Sequence, residues 1–194
     1  MQQLTADTLD DLLLMVYPKI LRNGQRVKAS KGWNKELFGV VLELKNPLAR
    51  LSRSETKGTV FSCLGETLWY LAGSNELDFI KYYIKIYGKF AESDGTVNGA
   101  YGPRLFRMRA SINQIDNVIK LLRRKSSSRQ AVVQLFNAED LLKDYNDIPC
   151  TCTLQFFIRR GSLHLLVHMR SNDAFLGLPH DGFRLHLHSG INSA

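Results

Sequence analysis

Apolar and polar positions along the chain fall into alternating blocks of helical and strand periodicity. Residues 5–21 carry Leu9, Leu12, Leu13, Val16 and Ile20 at helical spacing, with Asp7, Asp10 and Asp11 near the start. Carboxylates suit the positive end of a helix, so an amphipathic helix is expected there. Residues 37–44 read as a strand, ended by Asn46-Pro47. Residues 62–71 predict a helix stopped at Gly73, and Ser74 or Asn75 is expected to cap a second one reaching Tyr87. Residues 111–124 place Ile112, Ile115, Ile119 and Leu122 on one expected inner face. Residues 130–136 return to a strand.

Strict alternation then begins at Cys150, directly after Pro149. Cys152, Leu154, Phe156 and Ile158 share one face; Thr151, Thr153, Gln155 and Phe157 share the other. Gly161-Ser162 reads as a tight turn. On the return strand Leu163, Leu165, Val167 and Met169 alternate with His164, Leu166, His168 and Arg170. A hairpin brings the start of the first strand to the end of the second, and so Cys150 to Arg170. A guanidinium beside a thiol favours the nucleophilic thiolate. Arg170 followed by Ser171 is also an anion site of the phosphate-binding kind.

These residues carry a resemblance to a known family. Pro149-Cys150, then Gln155-Phe156, then Arg170-Ser171-Asn172-Asp173, then Leu176-Gly177-Leu178-Pro179 resemble, in order and separation, the active-site core of the thymidylate synthase and pyrimidine-nucleotide hydroxymethylase family. Glu66-Thr67-Leu68-Trp69 with Gly73 resembles its Glu-x-x-Trp helix. Tyr101-Gly102 resembles its Tyr-Gly turn. Ser128-Arg129 resembles the pair that reaches the partner subunit's phosphate site. The resemblance covers roughly residues 37–181. It implies an α+β, thymidylate synthase-like fold, with helices packed on a mixed sheet, and a homodimer.

The resemblance also implies a chemistry, which is one-carbon transfer from 5,10-methylenetetrahydrofolate to C5 of a pyrimidine nucleoside monophosphate. Cys150 is the expected nucleophile at C6. Glu66 handles protons through water, and Tyr101 completes the catalytic set. Arg170, Ser171 and a partner subunit's copy of Arg129 are expected at the phosphate. The backbone N–H of Asp173 is expected at the pyrimidine O2. Gln155 joins the substrate contacts and Trp69 the folate contacts. Hydride transfer then gives a methyl product and water addition a hydroxymethyl product.

Departures from the synthase pattern shift the substrate. Asp181 stands where the synthases carry the Asn that reads uracil. A carboxylate accepts from the exocyclic amine of cytosine, so the reading leans to a cytidylate (dCMP or CMP) hydroxymethylase, with methylation of dUMP as the alternative. Thr151 replaces a His, and Gln130 a second Arg. Arg26, Lys28 and Lys31 are the candidates for a loop arginine. Tyr82, Tyr83 and Tyr87 stand where a tryptophan pair is expected.

Each assignment has a plainer counterpart. Cys150 suits a core thiol, as do Cys63 and Cys152. Glu66 suits a helix surface. Arg170 suits a structural pair with Asp173, Tyr101 a packed aromatic, and Asp181 a helix cap. Residues 182–194 lack family character. The expected division is an incomplete catalytic domain at 1–181 and a tail beyond it. One back-translation of the tail, shifted by a base, gives Phe-Thr-Phe-Ile-Gln-Glu, as a frameshift after Asp181 would, and low activity is expected of such a chain. His180 with His186-x-His188 then needs no metal, and no metal is expected.

Composition narrows the classes further. The 194 residues suit one domain. Three cysteines, no signal peptide and no long apolar run fit a cytoplasmic protein without a membrane span. The net charge of +8 sits partly in residues 104–109 and 120–129. A nucleic-acid binder is the contrasting class. Residues 120–129 lack the interleaved aromatics that single-strand binding uses, which argues against it.

Overall fold

The computed structural model describes residues 2–29, 32–49 and 59–187, with side chains omitted for Thr59 and 183–187. The chain forms two compact units. It leaves the first after Lys57 and returns to it at Asp173.

The first unit begins with a strand that helical spacing concealed. β1 (Gln2–Ala6) pairs in parallel with β4 (Val40–Leu44). Leu4 and Ala6 point inward, and with Leu12, Val16, Leu42 and Leu178 they form the core of this unit. The predicted helix therefore starts later, as α1 (Leu9–Asn23). Thr8 caps it by accepting from the Asp11 N–H at 3.1 Å, and Asp10 and Asp11 occupy the first turn. β2 (Gln25–Ala29) and β3 (Gly32–Glu36) form an antiparallel pair, with the Arg26 guanidinium 4.6 Å from the centre of the Trp33 ring. The sequence pattern did not show this pair. It is nearly all exposed, so no alternation of burial marks it.

The second unit starts with α2 (Thr59–Leu71) and α3 (Leu77–Tyr83), followed by a 3-10 turn (Lys85–Lys89). The cap of α3 is Glu76 rather than Ser74 or Asn75. On α2 the buried positions Cys63, Glu66, Thr67 and Tyr70 are spaced as one helical face, with Trp69 also buried, while Leu68 and Leu71 are exposed. α4 (Tyr101–Phe106) and α5 (Gln114–Arg124) follow. α5 starts three residues later than the spacing of isoleucines predicts, because Ile112 bridges to Met108 and Asn113 caps the helix. Its buried residues are accordingly Val118 and Leu122; Ile112 and Ile119 are exposed.

β5 (Val132–Gln134), β6 (Thr151–Arg159) and β7 (Ser162–Met169) make an antiparallel sheet in the order β5-β6-β7. The hairpin turn is Arg160-Gly161 rather than Gly161-Ser162, since Arg159 pairs with Ser162. Both turn residues have positive φ (51° and 76°), the conformation that matches strand twist in a two-residue turn. Helices and strands together make the fold α+β, with parallel and antiparallel pairing in separate sheets among the described residues. α6 (Gly177–Leu187) belongs to the first unit. No helix among the described residues is long and apolar enough to cross a membrane.

Candidate active site

The hairpin brings Cys150 and Arg170 together as the alternation predicted. The Arg170 N–H donates to the Cys150 carbonyl at 2.9 Å, which ties the end of β7 to the start of β6. The Arg170 side chain turns back over the same segment. Its Nε donates to the Pro149 carbonyl at 2.9 Å and its Nη2 to the Ile148 carbonyl at 3.1 Å. Nη2 also lies 3.8 Å from the Cys150 Sγ. Cys150 is exposed, unlike the buried Cys63. A solvent-accessible thiol beside a fixed guanidinium is the microenvironment of a reactive cysteine rather than of a core thiol.

Thr151, next in the chain, is fully buried. Its N–H donates to the Tyr101 phenol oxygen at 3.2 Å, and that phenol donates to the Thr151 hydroxyl at 2.9 Å. A β-bulge between Thr151 and Thr153 accompanies this contact and breaks the simple alternation of β6. The Tyr101 ring stacks on Tyr70 with centroids 4.8 Å apart and planes 14° apart. Tyr70 in turn donates to Glu66 Oε1 at 2.7 Å, and Tyr87 donates to the same oxygen. Glu66 is 3% exposed, so it is an interior carboxylate and not a surface helix residue.

Trp69 lies between these rings, stacked on Tyr70 at 5.6 Å and edge-on to Tyr87 at 5.4 Å. It is 0% exposed. The folate contact expected of Trp69 is therefore corrected: a ring with no accessible face cannot stack on a ligand, and Trp69 is the core against which the site's tyrosines pack. The replacement of a tryptophan pair by tyrosines marked Tyr87 in the sequence, but its contact with Glu66 spans 21 residues and has no local signal.

The loop before Cys150 is held by polar contacts. Arg104 donates from both terminal nitrogens to the Asp140 carboxylate, at 2.8 and 2.6 Å, and also to the Leu135 and Asn98 carbonyls. Burial pushes the Asp140 carboxyl up, but Arg104 and the Asn137 N–H outweigh it and hold it below its ordinary value. The Asn98 amide donates to the Asp147 carbonyl at 3.2 Å. The Asp147 side chain sits so close to Gly99 that a Cβ there would lie 2.0 Å from its Oδ2. Sequence reasoning passed over Asp147. Burial raises its carboxyl from 3.8 to about 6, against the pull of Arg170 and Arg104 and with the push of Glu66 and Glu92.

The other expected substrate contacts divide between the two units. Gln155 donates its amide to the Arg129 carbonyl at 2.8 Å, which links the two side by side. Arg129 and Ser171 are exposed. Asp173 and Asp181 belong to the first unit. There Asp173 Oδ1 accepts from the Phe175 and Leu176 N–H groups, so its carboxylate shapes the turn into α6. Asp181 is 6% exposed within α6 and lies past the helix start, which removes the capping alternative. Among the described residues no cluster of three His, Cys, Asp or Glu side chains could hold a metal. The His186 side chain and His188 lie outside the described residues, as does Lys31.

Comparison with known proteins gives the chain a family. The thymidylate synthase family model matches residues 14–188, beginning well before residue 37. A deoxyuridylate hydroxymethyltransferase from Bacillus phage SP01 is 31% identical over 179 residues, covering 86% of this chain and 46% of the phage protein. A thymidylate synthase from Bacillus subtilis subsp. natto is 33% identical over 122 residues, covering 60% of this chain and 43% of its own length. A thymidylate synthase from Buchnera aphidicola subsp. Baizongia pistaciae (strain Bp) is 31% identical over 172 residues, covering 86% and 65%. The chain thus spans from under half to about two thirds of the curated relatives it matches. With nine-tenths of the sequence matched by the family model, the chain belongs to the thymidylate synthase family.

Proposed function

We propose that this protein transfers a one-carbon unit to C5 of a pyrimidine nucleoside monophosphate, with Cys150 as the nucleophile. The observation that carries this is the exposed Cys150 thiol held 3.8 Å from Arg170 Nη2. The thiolate forms a bond to C6 of the ring, and the electron pair of the C5–C6 double bond moves to C5. Methylenetetrahydrofolate, as co-substrate, supplies the carbon. The C5 carbanion bonds to that methylene carbon. Transfer of the C5 proton through water to the buried Glu66 carboxylate breaks the carbon–nitrogen bond to the folate, which leaves as tetrahydrofolate. Addition of water to the resulting exocyclic methylene (hydride for a methyl product) restores the ring double bond as the Cys150 thiolate departs. Arg170 and Ser171, with Arg129 of a second copy, bind the phosphate.

Asp181 favours cytosine, because a carboxylate accepts from an exocyclic amine and offers no N–H to a uracil carbonyl. A hydroxymethyl product on dCMP or CMP is the leading reading. The relative named deoxyuridylate hydroxymethyltransferase favours the second, a uracil nucleotide. A homodimer in the cytoplasm completes the proposal. The homodimer is supported by the sheet face on which the exposed Val132 and Leu166 flank the half-buried Gln155 in register across three strands. The test is turnover of dCMP, CMP and dUMP with methylenetetrahydrofolate, with Cys150→Ser as the control. Modification of none of the three, or equal turnover by Cys150→Ser, refutes the reading.

A further inference from the structure

We propose that Tyr87 is a positioning residue for Glu66, fixing the carboxylate through its phenol O–H. The inference rests on the proton-handling role given to Glu66 above. Two phenols converge on one oxygen of this carboxylate, and they are not equivalent. Tyr70 stands one turn along α2 from Glu66, so its hydrogen bond follows from helix geometry alone. Tyr87 arrives from the 3-10 turn at Lys85–Lys89, and its bond to Oε1 exists only because that turn packs on α2.

The Tyr87 ring has little freedom to swing away. It meets Trp69 edge-on at 5.4 Å and Phe90 edge-on at 6.0 Å. Its N–H and carbonyl are tied to Ile84 and Phe90 in the turn. From the same Glu66 oxygen, Tyr70 leads through the stacked Tyr101 to Thr151, the neighbour of Cys150. Glu66 is thus gripped from two directions. One grip is continuous with the nucleophile's strand, and the other, through Tyr87, sets the rotation of the carboxylate plane. A carboxylate that moves protons must present its lone pairs in a fixed direction. A half-buried phenol on that oxygen supplies the direction without adding charge.

The experiment uses the 194-residue protein and Tyr87→Phe, which keeps the ring contacts and removes only the donor. The carboxylate stretch of Glu66 is first identified in the infrared spectrum by its loss in Glu66→Gln. Tyr87→Phe should shift that band; an unmoved band overturns the proposal. In turnover, kcat should fall about ten-fold, as the loss of one hydrogen bond at the reacting group implies. KM for the nucleotide should change less than about two-fold, because Tyr87 touches Glu66 and not the phosphate residues. An unchanged kcat, or a rise in KM alone, also overturns it. If the wild-type protein turns over none of the nucleotides, the one-carbon reading fails by itself, and the infrared band still decides whether Tyr87 holds Glu66.

Discussion

Arg170 grips the backbone of the residues that precede Cys150 and lies 3.8 Å from the Cys150 sulfur with the same Nη2 that donates to Ile148. One guanidinium therefore sets both the shape of the loop and the field at the thiol. Arg170→Met should slow alkylation of Cys150 by iodoacetamide at pH 7 by roughly ten-fold, since the thiolate loses its neighbouring cation. Arg170→Lys should recover only part of the rate, because an ammonium cannot reproduce the fork that spans two carbonyls. Equal alkylation rates in all three proteins would show that the guanidinium does not activate the sulfur.

The Arg104–Asp140 pair is bidentate and buried, and it ties the residues that carry Tyr101 to the turn at Ala138–Leu141. Removing one partner leaves the other charged in the interior. Arg104→Met should cost about 3–5 kcal/mol in urea unfolding, and the double variant with Asp140→Leu less than the sum. Asp140 is held below its ordinary 3.8, so its contribution is present above that pH and fades as pH falls through the lowered value.

Asp147 has the opposite sign. Its carboxyl is raised from 3.8 to about 6, so the folded protein holds the proton more tightly than the unfolded chain does. The penalty is absent below 3.8, grows as the unfolded carboxyl ionises, and is complete above about 6. It amounts to at most about 3 kcal/mol at 1.4 kcal/mol per pH unit. Asp147→Asn keeps the shape against Gly99. It should be more stable than wild type at pH 8, with the gap closing toward pH 4. A gap independent of pH would contradict the assignment.

Tyr101→Phe removes the phenol that both accepts from the Thr151 N–H and donates to its hydroxyl. Thr151 is fully buried, so water does not readily replace the bond. The variant should lose about 1–3 kcal/mol in thermal or urea unfolding, the cost of leaving buried polar groups unmatched. A change under about 0.5 kcal/mol, the range of neutral surface substitutions, would mean that Thr151 finds another partner.

For base recognition, Asp181→Asn should reverse preference, lowering turnover of the cytosine nucleotide and raising that of dUMP. An amide offers both a donor and an acceptor, where the carboxylate only accepts. The readout is the ratio of kcat/KM for dCMP to that for dUMP in the two proteins. An unaltered ratio would remove Asp181 from base reading.

Contacts close along the chain were legible in the sequence. Alternation on two short strands with a tight turn fixes which residue faces which, so Cys150 and Arg170 met as the pattern required. A helix cap and a first turn rich in Asp fixed where α1 begins once Thr8 is recognised. Tertiary packing decided the rest. Gln2–Ala6 is a strand because β4, nearly forty residues away, supplies hydrogen bonds that no local period announces. Glu66 is buried because α2 turns its Cys63–Tyr70 face inward and leaves Leu68 exposed, against the apolar count. Trp69 is core rather than a ligand platform, and Tyr87 reaches Glu66 across 21 residues. Periodicity is a property of neighbours in sequence. The burial of a polar group depends on partners that only the folded chain brings within hydrogen-bonding distance.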